Sequence, residues 1–139
     1  MAIGTLVDTN VILDVLTEDP IWLSWSLRSL AAAAETGPLY INLIIYSELS
    51  IRFSRVEDLD EALPAQDYRR ASLPWEAAFL ASKVFLDYRR NGGARTSTLP
   101  DFYIGAHAAV DDLSLLTRDS SRYRTYFPGV RLITPHPQP

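Results

Sequence analysis

No cysteine occurs among the 139 residues, which excludes a disulfide framework, a thiolate–zinc site, an iron–sulfur cluster and a cysteine nucleophile. Lysine is almost missing as well, with Lys83 the only one, and histidine is confined to His107 and His136. No apolar run approaches the roughly 18–20 residues of a membrane span, and no basic region at the start leads into a signal-type apolar stretch. A soluble, cytoplasmic protein with no membrane partner is expected. A global basic field is absent too: 17 acidic residues against 13 basic ones give a net charge of −4, so composition does not advertise nucleic-acid binding.

What is present suffices for one domain. At 47% hydrophobic content the chain can bury a core without staples. Residues 1–134 are expected to form that domain and 135–139 a short Pro-rich tail. The charge is unevenly spread. Residues 1–88 hold 13 acids and 6 bases, whereas residues 89–139 hold 4 acids and 7 bases, all arginine. Arginine suits bidentate phosphate contact.

The pattern alternates strand and helix. Short β-branched or apolar runs at 3–7, 39–42, 113–117 and 130–134 read as strands, and helical spacing covers 11–16, 22–35, 46–53, about 75–90 and 102–110. An acidic segment at 56–67 predicts a short exposed helix broken at Pro64, residues 94–98 a surface loop, and 122–127 a short helix or turn. In the long helix Trp75, Ala78, Phe79, Ser82 and Leu86 share one face and Glu76, Lys83, Asp87 and Arg90 another. Strands separated by helices argue for an α/β domain with a mostly parallel central sheet flanked by helices.

In such sheets sites form beyond the carboxyl ends of the strands. Asp8 ends the first strand and Asp119 follows the third, while Glu48 lies one turn into the helix after the second and Asp101 starts the helix leading into the third. Singly each is ordinary: Asp8 and Asp101 suit helix N-caps, Asp119 a turn, and Glu48 a solvated helix face. Gathered at one edge they would repel unless a cation neutralised them, and all-oxygen donors select Mg²⁺, with Mn²⁺ able to substitute. His107 falls about 240° round its helix from Asp101 at roughly 100° per residue, so a packed role is expected for it. Asp14, Asp111 and Asp112 are expected at the surface or at helix ends.

The stretches Ile3-Gly4-Thr5-Leu6-Val7-Asp8-Thr9-Asn10, Tyr46-Ser47-Glu48-Leu49, Leu99-Pro100-Asp101-Phe102-Tyr103-Ile104-Gly105-Ala106-His107-Ala108 and Leu115-Leu116-Thr117-Arg118-Asp119, in that order, resemble a PIN domain and are most similar to the VapC toxins of bacterial toxin–antitoxin pairs. The resemblance spans nearly the whole chain. It implies a metal-dependent endoribonuclease with Asp8, Glu48, Asp101 and Asp119 as catalytic metal-binding acids and Thr9, Asn10 and Thr117 as polar support. It also implies a cognate antitoxin and a homodimer or a pair of dimers. Cleavage by activated water would leave a 5′-phosphate and a 3′-hydroxyl. The late basic excess adds Arg95, Arg118 and Arg122 as candidate RNA contacts.

Two other acid-edged folds fit less well. A phosphatase of the haloacid-dehalogenase type would need a second aspartate where Asn10 stands, and both it and a response-regulator receiver domain need a lysine near the site. Lys83 lies mid-helix. A catalytically inactive binding module of the same fold, for RNA or protein, remains the alternative.

Overall fold

The computed structural model describes residues 3–95 and 99–135. Its elements run β1 (Thr5–Val7), α1 (Thr9–Leu16), α2 (Leu23–Thr36), β2 (Leu39–Ile41), α3 (Leu43–Ser50), α4 (Val56–Ala62), β3 (Arg69–Arg70), α5 (Trp75–Arg90), α6 (Pro100–Val110), β4 (Ser114–Leu116), α7 (Ser121–Tyr126) and β5 (Leu132–Ile133). The strands form one sheet in the order β3-β2-β1-β4-β5, with every pairing parallel. Parallel neighbours cannot be joined by a tight turn, which is why at least one helix separates each strand from the next.

Central β1 is buried along its whole length and pairs on one side with β2 and on the other with β4. From β1 the chain moves outward to β2 and β3, then later to β4 and β5 on the opposite side. The direction therefore reverses between β1 and β4, and it is there that a crevice opens at the carboxyl ends of the strands. Leu6, Val7, Leu115 and Leu116 supply the sheet's part of the core, and Val11, Ile12, Ile45, Leu49, Phe102 and Ile104 supply the helices' part. Gly37 closes α2 against the segment leading into β1, where a Cβ would collide with the carbonyl oxygen of Ile3. Past the end of α5, Gly92 takes a φ of 90°, a left-handed conformation that glycine adopts without steric cost.

Three expectations change. Strand β3 carries no apolar signal, since Arg69 and Arg70 are both exposed; it exists because the free edge of β2 offers it a ladder, with Ala71 N–H donating to Ile41 O at 2.9 Å. Helix α3 begins at Leu43, three residues before the spacing suggested, because Asn42 Oδ1 accepts from the Ile45 N–H at 3.0 Å and caps it. The face of α5 bearing Trp75, Phe79 and Leu86 looks outward: Trp75 is 89% and Phe79 66% exposed. The buried face is that of Ala77, Ala81 and Val84, small enough for α6 to approach closely, with Tyr88 reaching Phe102 edge-on at 5.4 Å. Residues 96–98 of the expected loop, and His136 with the rest of the tail beyond residue 135, lie outside the described residues. Among those described, no helix is long and apolar enough to cross a membrane.

Candidate active site

Asp8 is the first residue past β1. Its N–H donates to Leu116 O at 2.9 Å, which continues the sheet and holds the residue in the reversal crevice. The side chain is 4% exposed. Its Oδ1 accepts from the Thr9 N–H at 2.8 Å and so caps α1, while Oδ2 accepts from Thr117 Oγ1 at 2.8 Å and from the Tyr123 hydroxyl at 3.1 Å. Burial pushes the carboxyl up from 3.8 to about 6, with the charge of Asp101 adding to it and the three donors opposing it.

Asp101 stands in the first turn of α6, where the helix dipole favours an acid. It is not the cap expected of it, since Leu99 holds that position. Its Oδ1 accepts from the same Tyr123 hydroxyl at 3.3 Å, and its Oδ2 from Arg122 Nη1 at 3.2 Å. The Arg122 guanidinium also lies over the Phe102 ring, 5.8 Å from its centre. Glu48, half-buried on α3, accepts from Thr9 Oγ1 at 2.7 Å. Burial, followed by the charge of Asp101, raises its carboxyl above the ordinary value. Asp8, Glu48 and Asp101 therefore share one electrostatic environment.

Asp119 differs from the other three. It is exposed, and its N–H donates to Thr117 Oγ1 at 3.2 Å, so its backbone is tied to the site. Thr117 Oγ1 also receives Asn10 Nδ2 at 3.3 Å, and Asn10 Oδ1 receives the Arg118 N–H at 3.1 Å. Asn10 and Thr117 thus fasten the ends of β1 and β4 to each other, while Thr9 ties the end of β1 to Glu48 on α3.

Several residues behave differently from their expected roles. Asp14 is 2% exposed, not a surface acid. It receives Arg118 Nε at 2.7 Å and Nη2 at 2.9 Å, together with Ser26 Oγ at 2.7 Å. The Arg118 guanidinium, stacked 5.0 Å over Trp22, is thereby committed to the protein. Asp111 and Asp112 do lie exposed past the end of α6. His107 is fully buried, with Nδ1 2.9 Å from Asn42 Nδ2 and Nε2 3.0 Å from Asp111 Oδ2, and it takes no part in the carboxylate group. Tyr123 was not legible as a site residue, for a tyrosine in a short helix four positions past an aspartate has no distinguishing pattern. Its burial beneath two acids holds its hydroxyl proton on, well above the ordinary phenol value.

Among the described residues no three histidine or carboxylate side chains are arranged to enclose one ion, so the four acids are not a ready-made cage. The donor chemistry nevertheless suits a hydrated hard cation. Mg²⁺ usually keeps several waters and takes one or two carboxylates, and Asp8 and Asp101 converge on a single hydroxyl with Glu48 coupled to them.

A PIN domain family model matches residues 5–128. The chain belongs to the PIN domain family. The fold of this PIN domain is shared with VapBC2 from Rickettsia felis bound to a DNA fragment from their promoter, at TM-score 0.72 and 15% identity over 94% of this chain and 98% of that one. It is shared with VapBC-1 from nontypeable Haemophilus influenzae at TM-score 0.71 and 16% identity, over 94% and 97% of the two chains. A toxin–antitoxin complex from Klebsiella pneumoniae gives TM-score 0.64 and 22% identity over 96% and 99%. Comparison with curated proteins finds no match.

Proposed function

We propose that this PIN domain is a Mg²⁺- or Mn²⁺-dependent endoribonuclease, the toxin of a toxin–antitoxin pair acting in the cytoplasm. The observation that carries this reading is the convergence of Asp8 and Asp101 on one hydroxyl at the point where the sheet order reverses. A divalent cation, when bound, supplies activation of the attacking water and neutralisation of the scissile phosphate. Asp8 and Asp101 would hold it, with Glu48 beside them. Thr9 keeps Glu48 oriented and Thr117 keeps Asp8 oriented, each by a hydroxyl donor. Asp119, exposed at the rim, is placed to act at the outer side of the site.

Arg122 is the arginine best placed for RNA, since its guanidinium already lies against Asp101 and keeps 38% exposure. Arg95, exposed at the described end of its loop, extends the same role, while Arg118 contributes chiefly by bracing the turn after β4. The antitoxin is suggested by the kinds of complex in which the similar structures occur. Exposed Leu43, Ile51 and Val56, and Trp75 with Phe79, supply apolar surface for that partner or for a second copy in a homodimer or a pair of dimers.

The exposure of Asp119, which the other three acids do not share, favours one rival, a catalytically inactive module that binds RNA or protein. Incubating the purified protein with mixed cellular RNA in Mg²⁺, in Mn²⁺ and in EDTA separates the two. Metal-dependent fragments with 5′-phosphate ends, lost in Asp8→Asn, support the nuclease; RNA retained intact under all three conditions establishes the rival.

A further inference from the structure

Beyond the four acids, the carboxylate group is organised by a residue from a different part of the chain. Tyr123 is fully buried, and its hydroxyl lies 3.1 Å from Asp8 Oδ2 and 3.3 Å from Asp101 Oδ1. A phenylalanine would fill the same space in the core. The oxygen therefore serves the acids and not the packing, since a buried hydroxyl without partners costs free energy. A phenol has one proton to donate, so both carboxylates must stay within reach of a single atom to share it.

The two acids need such a tie for different reasons. Asp8 is held independently, by the Thr9 N–H and the Thr117 hydroxyl. Asp101 is 30% exposed, and its only other described donor is Arg122, itself 38% exposed. Without the phenol, repulsion from Asp8 and the pull of Arg122 would both draw the Asp101 carboxylate outward. With it, one oxygen of each acid is anchored at a common point and the remaining lone pairs are left for a ligand.

Resting on the nuclease reading above, we infer that Tyr123 is a positioning residue, whose hydroxyl sets Asp8 and Asp101 at the separation at which they bind one divalent cation together. Tyr123 does not touch the cation or the RNA. Its effect passes through the orientation of the two acids, in the way that hydrogen-bond partners behind metal ligands tune affinity.

The test is Mn²⁺ binding to the RNA-free full chain, by titration calorimetry, for the parent, Tyr123→Phe, Asp8→Asn and Asp101→Asn, with thermal melts and RNA kinetics alongside. Tyr123→Phe should weaken Mn²⁺ by roughly 10–100-fold. It should lower turnover at limiting Mn²⁺, recover part of it at excess Mn²⁺, and leave the KM for RNA unchanged. Mn²⁺ affinity within about twofold of the parent, or tighter, overturns the inference. Should Tyr123→Phe alone not fold, the comparison of Asp101→Asn with Asp101→Asn/Tyr123→Phe replaces it. There the added change should cost less than about twofold, because the acid that the phenol aligns is already neutral, and a further tenfold loss overturns the inference. Equal Mn²⁺ binding by the parent and Asp8→Asn overturns the nuclease reading and this inference with it. Loss in Asp8→Asn with no change in Tyr123→Phe overturns the inference alone.

Discussion

Thr117 and Asp8, 109 residues apart in sequence, are joined by a hydroxyl donating to a buried carboxylate oxygen at 2.8 Å. This bond is made possible by the parallel pairing of β1 with β4, which places Val7 beside Leu116 and so brings the residue after each strand to the same end of the crevice. Thr117 also receives Asn10 and the Asp119 N–H. One side chain thus couples the two motifs that frame the candidate metal site.

The carboxyl of Asp8, raised to about 6 from 3.8, sets an expectation for stability. In the metal-free protein the native state binds the proton more tightly than the unfolded chain, so the favourable contribution is complete below pH 3.8 and is lost as pH rises through about 6. Asp8→Asn should therefore stabilise the metal-free protein at pH 7 to 8 by on the order of 2–3 kcal/mol, with a corresponding rise in melting temperature. The gain should vanish below pH 4. Asparagine still caps α1, and the Thr117 and Tyr123 hydroxyls can turn to accept from its amide. Thermal melts across pH, with and without Mg²⁺, check this; the variant should also show less stabilisation by the cation.

His107 works in the opposite sense. Burial lowers its pKa, with Asp111 opposing, so its contribution is present above the unfolded value near 6.5 and is lost as pH falls through the lower folded one. His107→Gln should flatten the acid side of the stability profile below pH 6.5 while RNA cleavage persists, because both ring nitrogens are engaged by Asn42 and Asp111, away from the acids. A loss of cleavage as deep as that of Asp8→Asn would assign the imidazole a role in the site.

The Asp14–Arg118 pair carries a structural prediction. Asp14 is 2% and Arg118 28% exposed at the side chain, so Arg118→Ala leaves a buried carboxylate without its counterion. A cost of about 3 kcal/mol is expected, near the low end for broken buried pairs because Arg118 keeps some water. Denaturant unfolding measures it, and the salt dependence of RNA binding should stay near that of the parent.

Arg122→Ala should do the reverse. Its ion pair with Asp101 is half-exposed and adds little stability, yet its guanidinium stands beside the proposed cation site. Binding of RNA should weaken, and the slope of log affinity against log salt should fall by about one. Binding titrations at several salt concentrations decide it, and an unchanged slope would remove Arg122 from the RNA surface.

The alternation of short apolar runs with helical spacing was enough to establish the α/β class, and the abrupt change from Val7 to Asp8-Thr9-Asn10 marked the end of a strand, because local hydrophobic pattern and capping chemistry are written in neighbouring residues. The acids Asp8, Glu48 and Asp101 could be proposed as companions on the same grounds, since the ends of parallel strands meet at one edge. Which acid turns inward depends on longer-range packing. Asp119 faces solvent although it follows β4 closely, and Asp14, indistinguishable by pattern from a surface acid, is buried because Arg118 arrives from 104 residues away. Strand β3 exists only because β2 leaves an unpaired edge. Tyr123 illustrates the limit most sharply: its role comes from two carboxylates 115 and 22 residues distant, and hydrogen-bond geometry across such separations is decided by the assembled sheet and helices, not by any local run of residues.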